Sequence, residues 1–219
     1  MSRGNNPNFG RLVYDTRQIE FDDRIFTQFS QYQWNNFNNN DEELLPSKMT
    51  KPRYWYVKTR NYVDANHDGN LETRRSHTGI LIYLNNYLII FFSKRQNTVE
   101  SLSFGSGFVA LIIATELLVS IRYKLRMFGI PIDGPAYVFF DNRSVMKNVT
   151  LPQSVMKKRH NAICYHRFRD AQDEEVIRVG WIQGDYNQYN LGTKTTLSNK
   201  RRYKLVNKIM CNYGFTILN

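Results

Sequence analysis

Two aspartates in apolar surroundings have the residue type and placement of metal ligands in a phosphodiester-cleaving site. Asp64 lies inside the short run Tyr62–Ala65, and Asp141 directly follows the apolar run Ala136–Phe140. Carboxylates on adjacent strands can converge on divalent cations, and two cations about 3.5–4 Å apart activate a water molecule and stabilise the leaving oxygen. Four carboxylates normally share that work, because each cation needs negative charge as well as oxygen ligands. Taken alone, two aspartates are more often ordinary strand-end residues.

The elements that would position these aspartates begin with three strands. Asn61–Asn66 has alternating apolar residues and ends at the turn-forming stretch His67–Asn70. Two further strand-like runs, Ile80–Leu84 and Leu88–Phe92, lie on either side of an Asn-Asn pair. Because asparagine tolerates positive φ, this pair predicts a hairpin.

A long helix and an alternation of strands and helices follow. Hydrophobic residues recur every three to four positions between Phe104 and Val119, and the helix is predicted to end at Gly129, before Pro131. A meander of strands followed by a strand–helix–strand unit predicts a five-stranded mixed sheet flanked by helices. The remaining predicted elements are a strand over Ala136–Phe140, helices near Ser144–Asn148 and His160–Ala171, a strand over Val176–Ile182, and a basic helix over Lys200–Met210 capped by Ser198.

A series of ordered motifs resembles the RNase H region of copia-type LTR retrotransposon polyproteins. The match runs from about Trp34 to Met210, and Tyr32–Pro52 resembles the connecting segment that precedes RNase H in such polyproteins. The resemblance implies an RNase H-like α/β fold in which Asp64 and Asp141 lie on adjacent strands. The matching blocks are Tyr62–His67, Thr73–Ile80, Ser93–Glu100, Phe104–Leu111, Arg122–Gly129, Phe140–Asn142, Lys157–Ile163 and Tyr165–His166.

The family's active site uses Asp, Glu, Asp and Asp, and two of these four acids are replaced in this chain. Asp64 matches the first acid and Asp141 the third. Gly107 stands where the family's Glu opens the long helix, and Asn190 stands where its last Asp precedes the Thr-Lys pair. Glycine offers no side-chain ligand, and asparagine keeps an oxygen but loses the charge that holds Mg²⁺. We therefore expect weak metal binding at most by Asp64 and Asp141, and no cofactor, whereas an active enzyme would need Mg²⁺.

Three other acids are the nearest in sequence that could replace the missing carboxylates. Glu100 precedes the long helix, and Asp185 lies five residues before Asn190. Glu116 is nine residues beyond Gly107, which is about 13 Å along a helix at ~1.5 Å per residue. Because carboxylates in a metal site must be placed tightly, we do not expect these acids to restore it.

The charge of the chain favours a polyanionic partner. The 30 Lys and Arg residues exceed the 19 Asp and Glu residues, which gives a net charge of +11 and an isoelectric point of about 9.7. Tyr54–Tyr56 stand among Lys and Arg residues, a mixture that suits stacking on single strands but equally suits packing against the sheet. His160 and His166 match family positions. His166 is expected to be structural or to face a phosphate, with assistance of product release as the alternative. The residues predicted to contact a nucleic-acid backbone, with solvated helix faces as the alternative, are Lys157, Lys158, Arg159, Arg201, Arg202 and Lys204.

The chain divides into an Asn- and aromatic-rich extension or connecting segment, residues 1–50, and an RNase H-like domain, residues 51–219. Cys164 and Cys211 have no metal-ligand spacing, and the N-terminus has no signal-like apolar region, so we expect an intracellular, reducing compartment. The apolar stretch 108–121 contains Thr115, Glu116 and Ser120, and we expect it to be too short and too polar to span a bilayer.

Three functions are compatible with these observations. The first is a catalytically inactive, domesticated RNase H-like module that binds RNA, DNA or a protein, as a structural subunit of a nucleoprotein assembly. The second is an active, Mg²⁺-dependent ribonuclease H that cuts RNA in RNA–DNA hybrids. The third is the product of a decaying transposon remnant. Metal-dependent hybrid cleavage separates the first two, and purification with identified partners separates the first from the third.

Overall fold

Five strands and five helices make up the part of the chain that the structure, a computed structural model, describes. The described residues are 43, 45–67, 72–97, 99, 103–150, 159–184, 186–193 and 197–210. In chain order the elements are β1 (Thr59–Asn66), β2 (His77–Leu84), β3 (Tyr87–Arg95), α1 (Ser103–Met127), β4 (Ala136–Phe140), α2 (Arg143–Thr150), α3 (Arg159–Asp173), β5 (Ile177–Trp181), α4 (Asn190–Thr193) and α5 (Asn199–Met210).

The strands form one mixed sheet in the order β3-β2-β1-β4-β5. The β1–β2 and β2–β3 pairs are antiparallel, whereas β1–β4 and β4–β5 are parallel. The hairpin predicted at the Asn-Asn pair is confirmed: Asn85 has a φ of 52°, and its Oδ1 accepts a hydrogen bond of 2.9 Å from the Lys58 backbone N–H. The predicted five-stranded mixed sheet flanked by helices is therefore confirmed.

Helices cover both faces of the sheet, and alternate residues of β1 point to different faces. On one face, α1, α2 and α3 pack on Val63 through a large core that includes Phe108 and Phe168. On the other face, a smaller cluster joins Tyr62 to side chains from the C-terminal part of the chain, among them Tyr189 and Ile209. The period of two places the side chain of Asp64 on the same face as Tyr62.

Helix α1 is longer than its predicted apolar stretch. It has 25 residues, and by length and composition alone it could cross a membrane, so the expectation that this stretch is too short and too polar to do so is wrong. Half of its most apolar window is buried inside the domain, where the helix packs on β1 and β2. Its predicted end is confirmed, because Gly129 has a φ of 75° and the Ile130 N–H donates to the Leu125 carbonyl.

The segment before β1 is attached to the C-terminal end of α1. The Arg53 N–H donates to the Gly129 carbonyl (2.9 Å), and Val57 forms an isolated parallel bridge with Ile132. Further back, the Glu43 carboxylate accepts hydrogen bonds from two arginines of α1, Arg122 and Arg126. Residues 1–42 and 44 lie outside the described part, so the division at residue 50 stays a prediction.

Candidate functional site

The two retained aspartates lie side by side at one end of the sheet. In the parallel β1–β4 pair, Val63 is opposite Phe140, so the residues that follow, Asp64 and Asp141, emerge on adjacent strands. Asp64 is 5% exposed and is paired with Gly79 of β2, whereas Asp141 is partly exposed. The predicted adjacency of the two aspartates is thus observed.

The carboxylate of Asp64 is occupied by protein donors. Its Oδ2 accepts a hydrogen bond from the hydroxyl of Thr193, and its Oδ1 accepts one of 2.9 Å from the Ala65 N–H. Thr193 is itself buried, and its carbonyl accepts a hydrogen bond of 2.9 Å from the Asn66 side chain. Two residues at the end of β1, Asp64 and Asn66, are therefore joined to Thr193 of the short helix α4. The sequence analysis did not predict this contact.

Asn190 begins α4, one turn before Thr193, and is completely buried. Its Nδ2 donates to the Gly184 carbonyl, and nothing in the described part of the structure donates to its Oδ1. Gly184 lies next to Asp141, since a β-carbon built on that glycine would be 3.2 Å from Asp141 Oδ2. The structure thus brings Asp64, Asp141 and Asn190 to the same end of the sheet.

Gly107 lies in the second turn of α1 and faces the same end. A β-carbon added there would be 3.0 Å from Cζ of Phe140 and 3.2 Å from Cγ2 of Val145. It would also be 3.3 Å from Nδ2 of Asn142, the residue that follows Asp141. These separations are tighter than ordinary van der Waals contact, so a larger side chain at this position would have to displace its neighbours.

Asn142 fixes the backbone beside Asp141. Its Oδ1 accepts hydrogen bonds from the backbone N–H groups of Ser144 (3.1 Å) and Val145 (3.2 Å), which caps the start of α2. Its Nδ2 donates to the carbonyl of Ser103 at the start of α1 (3.3 Å). One asparagine therefore ties the first turns of two helices together. The Asp-Asn pair followed by Arg-Ser is the sequence signal that could have revealed this cap.

Tyr189 fills the space over Gly79, the residue paired with Asp64. A β-carbon on Gly79 would be only 1.6 Å from Cε1 of the tyrosine, so the ring needs a glycine there. The phenol donates a hydrogen bond of 2.6 Å to the Phe92 carbonyl, and burial raises the pKa of Tyr189, with the negative charge of Asp64 acting in the same direction. Asn187 adds a hydrogen bond of 2.9 Å to the Val63 carbonyl. Tyr189 and Asn187 were missed by the sequence reasoning.

Of the three acids expected not to replace the missing carboxylates, Glu116 alone lies in the described part of the structure. Glu116 forms an ion pair with Arg167 of α3 (2.6 Å), and Glu100 and Asp185 lie outside the described residues. Among the residues described, no group of three or more His, Cys, Asp and Glu side chains could hold a metal ion. The oxygen of Asn190 that lacks a donor is neutral, so it supplies no charge for Mg²⁺. The described residues therefore do not fit a two-cation centre.

The two helices near the predicted basic residues, α3 and α5, pack on opposite faces of the sheet. Helix α5 packs on the Tyr62 face through Ile209, whereas α3 packs on the opposite face through Phe168. Arg201, near the start of α5, donates to the Gly184 carbonyl (3.4 Å), the acceptor that Asn190 also uses, and its neighbours Arg202 and Lys204 are exposed. Lys157, Lys158 and the side chains of Arg159 and His160 lie outside the described part, and His166 is exposed.

Comparisons with known proteins bear on the origin of this arrangement. The chain is similar to the retrovirus-related Pol polyprotein from transposon TNT 1-94 of Nicotiana tabacum, with 23% identity over 141 residues, 64% of this chain. It spans about a tenth of the length of that polyprotein. No family model matches the chain.

Similar solved structures include two RNase H proteins. The N-terminal RNase H domain of rv2228c from Mycobacterium tuberculosis has 11% identity and a TM-score of 0.47, with 68% of this chain and 96% of that one covered. LC11-RNase H1 in complex with an RNA/DNA hybrid has 18% identity and a TM-score of 0.45, with 59% and 88% covered. The polyprotein match confirms the resemblance predicted from the motifs, and the observed sheet and helices agree with the predicted RNase H-like α/β fold class.

Proposed function

We propose that this chain is a catalytically inactive, domesticated RNase H-like module that binds nucleic acid as a structural subunit of a nucleoprotein assembly. One observation carries the proposal. The Asp64 carboxylate accepts hydrogen bonds from Thr193 and Ala65, while the matching positions of two partner acids hold Gly107 and Asn190. The charge balance that two divalent cations require is missing.

The contacts made at positions 190 and 107 also support inactivity. At position 190 the amide donates to the Gly184 carbonyl, a role that a carboxylate cannot fulfil unless it is protonated. At position 107 the neighbouring side chains of Phe140 and Val145 leave little room for a side chain. Both substitutions are therefore integrated into the packing of the domain.

Positive charge supports nucleic acid as the partner. Arg201 lies beside Asn190, so a permanently charged guanidinium is present at the end of the sheet where the family has carboxylates. The exposed Arg202 and Lys204 follow on the same helix, and the whole chain carries a net charge of +11. Together these groups favour contacts to a phosphate backbone without cleavage.

Hydrolysis of an RNA–DNA hybrid tests the inactive part of the proposal. The purified full chain should release no product above background with Mg²⁺ or with Mn²⁺. The matched variant Asp64→Asn separates intrinsic activity from a contaminating nuclease. Metal-dependent cleavage by the wild type that disappears in Asp64→Asn would establish the active ribonuclease instead.

Salt-dependent binding tests the nucleic-acid part. Single-stranded RNA, duplex RNA and hybrid are titrated at several salt concentrations with the wild type, with Lys157→Ala/Lys158→Ala/Arg159→Ala, and with Arg178→Ala as a control for an exposed cation elsewhere. The triple variant should weaken binding and lower the salt slope by about one unit per lost phosphate contact. Dissociation constants weaker than about 10⁻⁴ M for every strand would contradict nucleic-acid binding.

A further inference from the structure

Three consecutive aromatic side chains are exposed just before β1. Tyr54 is 63% exposed, Trp55 82% and Tyr56 70%. Large apolar side chains at such exposure remain in contact with water although the domain has two cores that could bury them. The alternative that these rings pack against the sheet is therefore not what the structure contains.

The backbone that carries these rings is firmly held. The Arg53 N–H donates to Gly129, the Val57 N–H donates to Pro131 (3.0 Å), and the Asp133 N–H donates back to Val57 (2.9 Å). The Thr50 hydroxyl adds a hydrogen bond of 2.6 Å to the Met127 carbonyl. Hydrogen bonds on both sides of residues 54–56 fix the course of the backbone, so the three exposed rings project from a held segment.

Cations accompany the rings, and the nearby acids are neutralised. Lys51 and Arg53 are exposed immediately before the aromatic run. The 69% exposed Phe128 lies one residue before Gly129, whose carbonyl accepts the hydrogen bond from the Arg53 N–H. Glu43 is bound by two arginines and Asp133 by Lys58 (3.4 Å). We name the aromatic–basic surface by its members: Lys51, Arg53, Tyr54, Trp55, Tyr56 and Phe128.

This surface lies at the opposite end of the sheet from the aspartates. Strand β1 begins at Thr59 and reaches Asp64 five residues later, which is about 17 Å at ~3.3 Å per residue. Trp55 lies four residues before the start of the strand. A ligand on the aromatic–basic surface is therefore outside the site formed by Asp64, Asp141 and Asn190.

We infer that the aromatic–basic surface binds single-stranded nucleic acid, with unpaired bases stacked on the rings and the backbone phosphates held by the cations. The inference rests on the proposed nucleic-acid function but assigns it a second, separate surface. Base–aromatic stacking is independent of sequence, because every base has a π-face. A duplex hides those faces in its own stack, so the combination of bare rings and cations selects unpaired strands.

The test compares strands on matched variants of the full chain. Labelled 20-nucleotide oligo-dU, oligo-rU and a 20-base-pair duplex are titrated with the wild type, with Tyr54→Ser/Trp55→Ser/Tyr56→Ser, and with Tyr186→Ser as an exposed tyrosine at the Asp64 end. The triple variant should lose at least ~10-fold in affinity for both single strands, since the bases lose the rings on which they stack. Its affinity for the duplex, and that of Tyr186→Ser for all three, should change less than ~2-fold.

A second measurement does not depend on any variant. Ultraviolet cross-linking of the wild type to oligo-rU, followed by peptide mass spectrometry, should place the adduct on residues 54–56. Single-strand affinity that is unchanged in the folded triple variant, or adducts only elsewhere, would overturn the inference. Duplex binding without single-strand binding would overturn it while leaving the proposed function intact. Failure of every strand to bind would overturn both.

Discussion

Polar and aromatic side chains are buried at one end of the sheet and exposed at the other. At the Asp64 end, a carboxylate, an amide and a tyrosine are buried and hydrogen-bonded, the carboxylate to the Thr193 hydroxyl and the other two to backbone carbonyls. At the other end, three aromatic rings and two cations are exposed on a rigid segment. The side chains of Asp64 and Asn190 are closed off from ligands by their own packing, whereas the aromatic rings at the other end are exposed to ligands.

This contrast separates stability from binding. Groups that satisfy each other inside the protein stabilise the fold and have little capacity left for a ligand. Exposed groups contribute little to folding and keep their interactions for a partner. Substitutions at the Asp64 end should therefore change unfolding, and substitutions on the aromatic–basic surface should change binding.

The largest effect on stability is expected from Tyr189→Ala. Removing a ring that is fully buried over Gly79 leaves a cavity, and we expect a loss of about 3–5 kcal/mol in the free energy of unfolding. Tyr189→Phe keeps the ring and loses the hydrogen bonds of the hydroxyl, among them the bond to Phe92, so it should cost about 1 kcal/mol. Urea unfolding measures both. Equal stability of the two variants would contradict the packing described here.

Restoring an acid at position 190 should destabilise the protein by about 1–3 kcal/mol at neutral pH, because Asn190→Asp replaces a donor to Gly184 with an oxygen. Burial would raise the folded-state pKa of the new carboxyl above its unfolded value of about 3.9. The loss in the free energy of unfolding should then be smallest below the unfolded-state pKa and should grow as the pH rises towards the folded-state pKa. Thermal melts between pH 3 and 8 test the sign, and a deficit that is largest in acid would contradict it.

Adding Gly107→Glu to Asn190→Asp tests whether only the ligands were lost. The glutamate must displace Phe140 or Val145, so Gly107→Ala is the control for the steric cost. If the folded double variant binds Mn²⁺ or cleaves hybrid, the rest of the cleft is intact. A folded double variant without either activity would mean that the closure described here extends beyond the two positions.

A smaller effect on stability is expected at Glu43, which lies away from the Asp64 end of the sheet. Burial alone raises the pKa of this carboxyl, but hydrogen bonds and charges from Arg126 and Arg122 outweigh it and lower the pKa from 4.5 to about 2. Its stabilisation is therefore complete above pH 4.5 and is lost as the pH falls towards 2. Glu43→Gln should cost about 1–2 kcal/mol at pH 7 and should flatten the acid decline. The exposed Glu116→Gln should do neither, and urea unfolding across this pH range compares them.

The smallest change in stability should follow the triple substitution of residues 54–56. Because these side chains are mostly exposed, the free energy of unfolding should change by less than about 0.5 kcal/mol even though single-strand binding is lost. Parallel melting and binding curves of the same preparation make the comparison direct. A large fall in melting temperature would show that the rings are part of the fold, and the contrast between the two ends would disappear.

Local sequence patterns were sufficient for most of the fold. Alternation and turn residues located all five strands, and Gly129 and Ser198 marked helix ends that the structure contains. The family motifs located Asp64, Asp141, Gly107 and Asn190, all of which lie at one end of the sheet. These features depend on neighbours in sequence or on matched motifs, which a single chain displays directly.

The closure of the site could not be predicted in the same way. The hydrogen bond from Thr193 to Asp64 joins residues 129 positions apart, and no local pattern encodes it. The four-residue helix α4 is too short to show a hydrophobic period. The position of Tyr189 depends on the absence of a β-carbon at Gly79, a steric relation that exists only after the strands and the C-terminal segment have met.

The position of β1 in the sheet has a consequence for synthesis on the ribosome. Its two neighbours are β2, which follows at once, and β4, which begins about 70 residues after β1 ends. At a translation rate of roughly 5–20 residues per second, about 4–14 s pass between the synthesis of β1 and that of its parallel partner β4. During this time β1 has one open hydrogen-bonding edge and the ring of Tyr62 is uncovered. We therefore expect the nascent β1–β3 meander to be prone to aggregation, and slowing translation before Ala136 should increase its capture by chaperones.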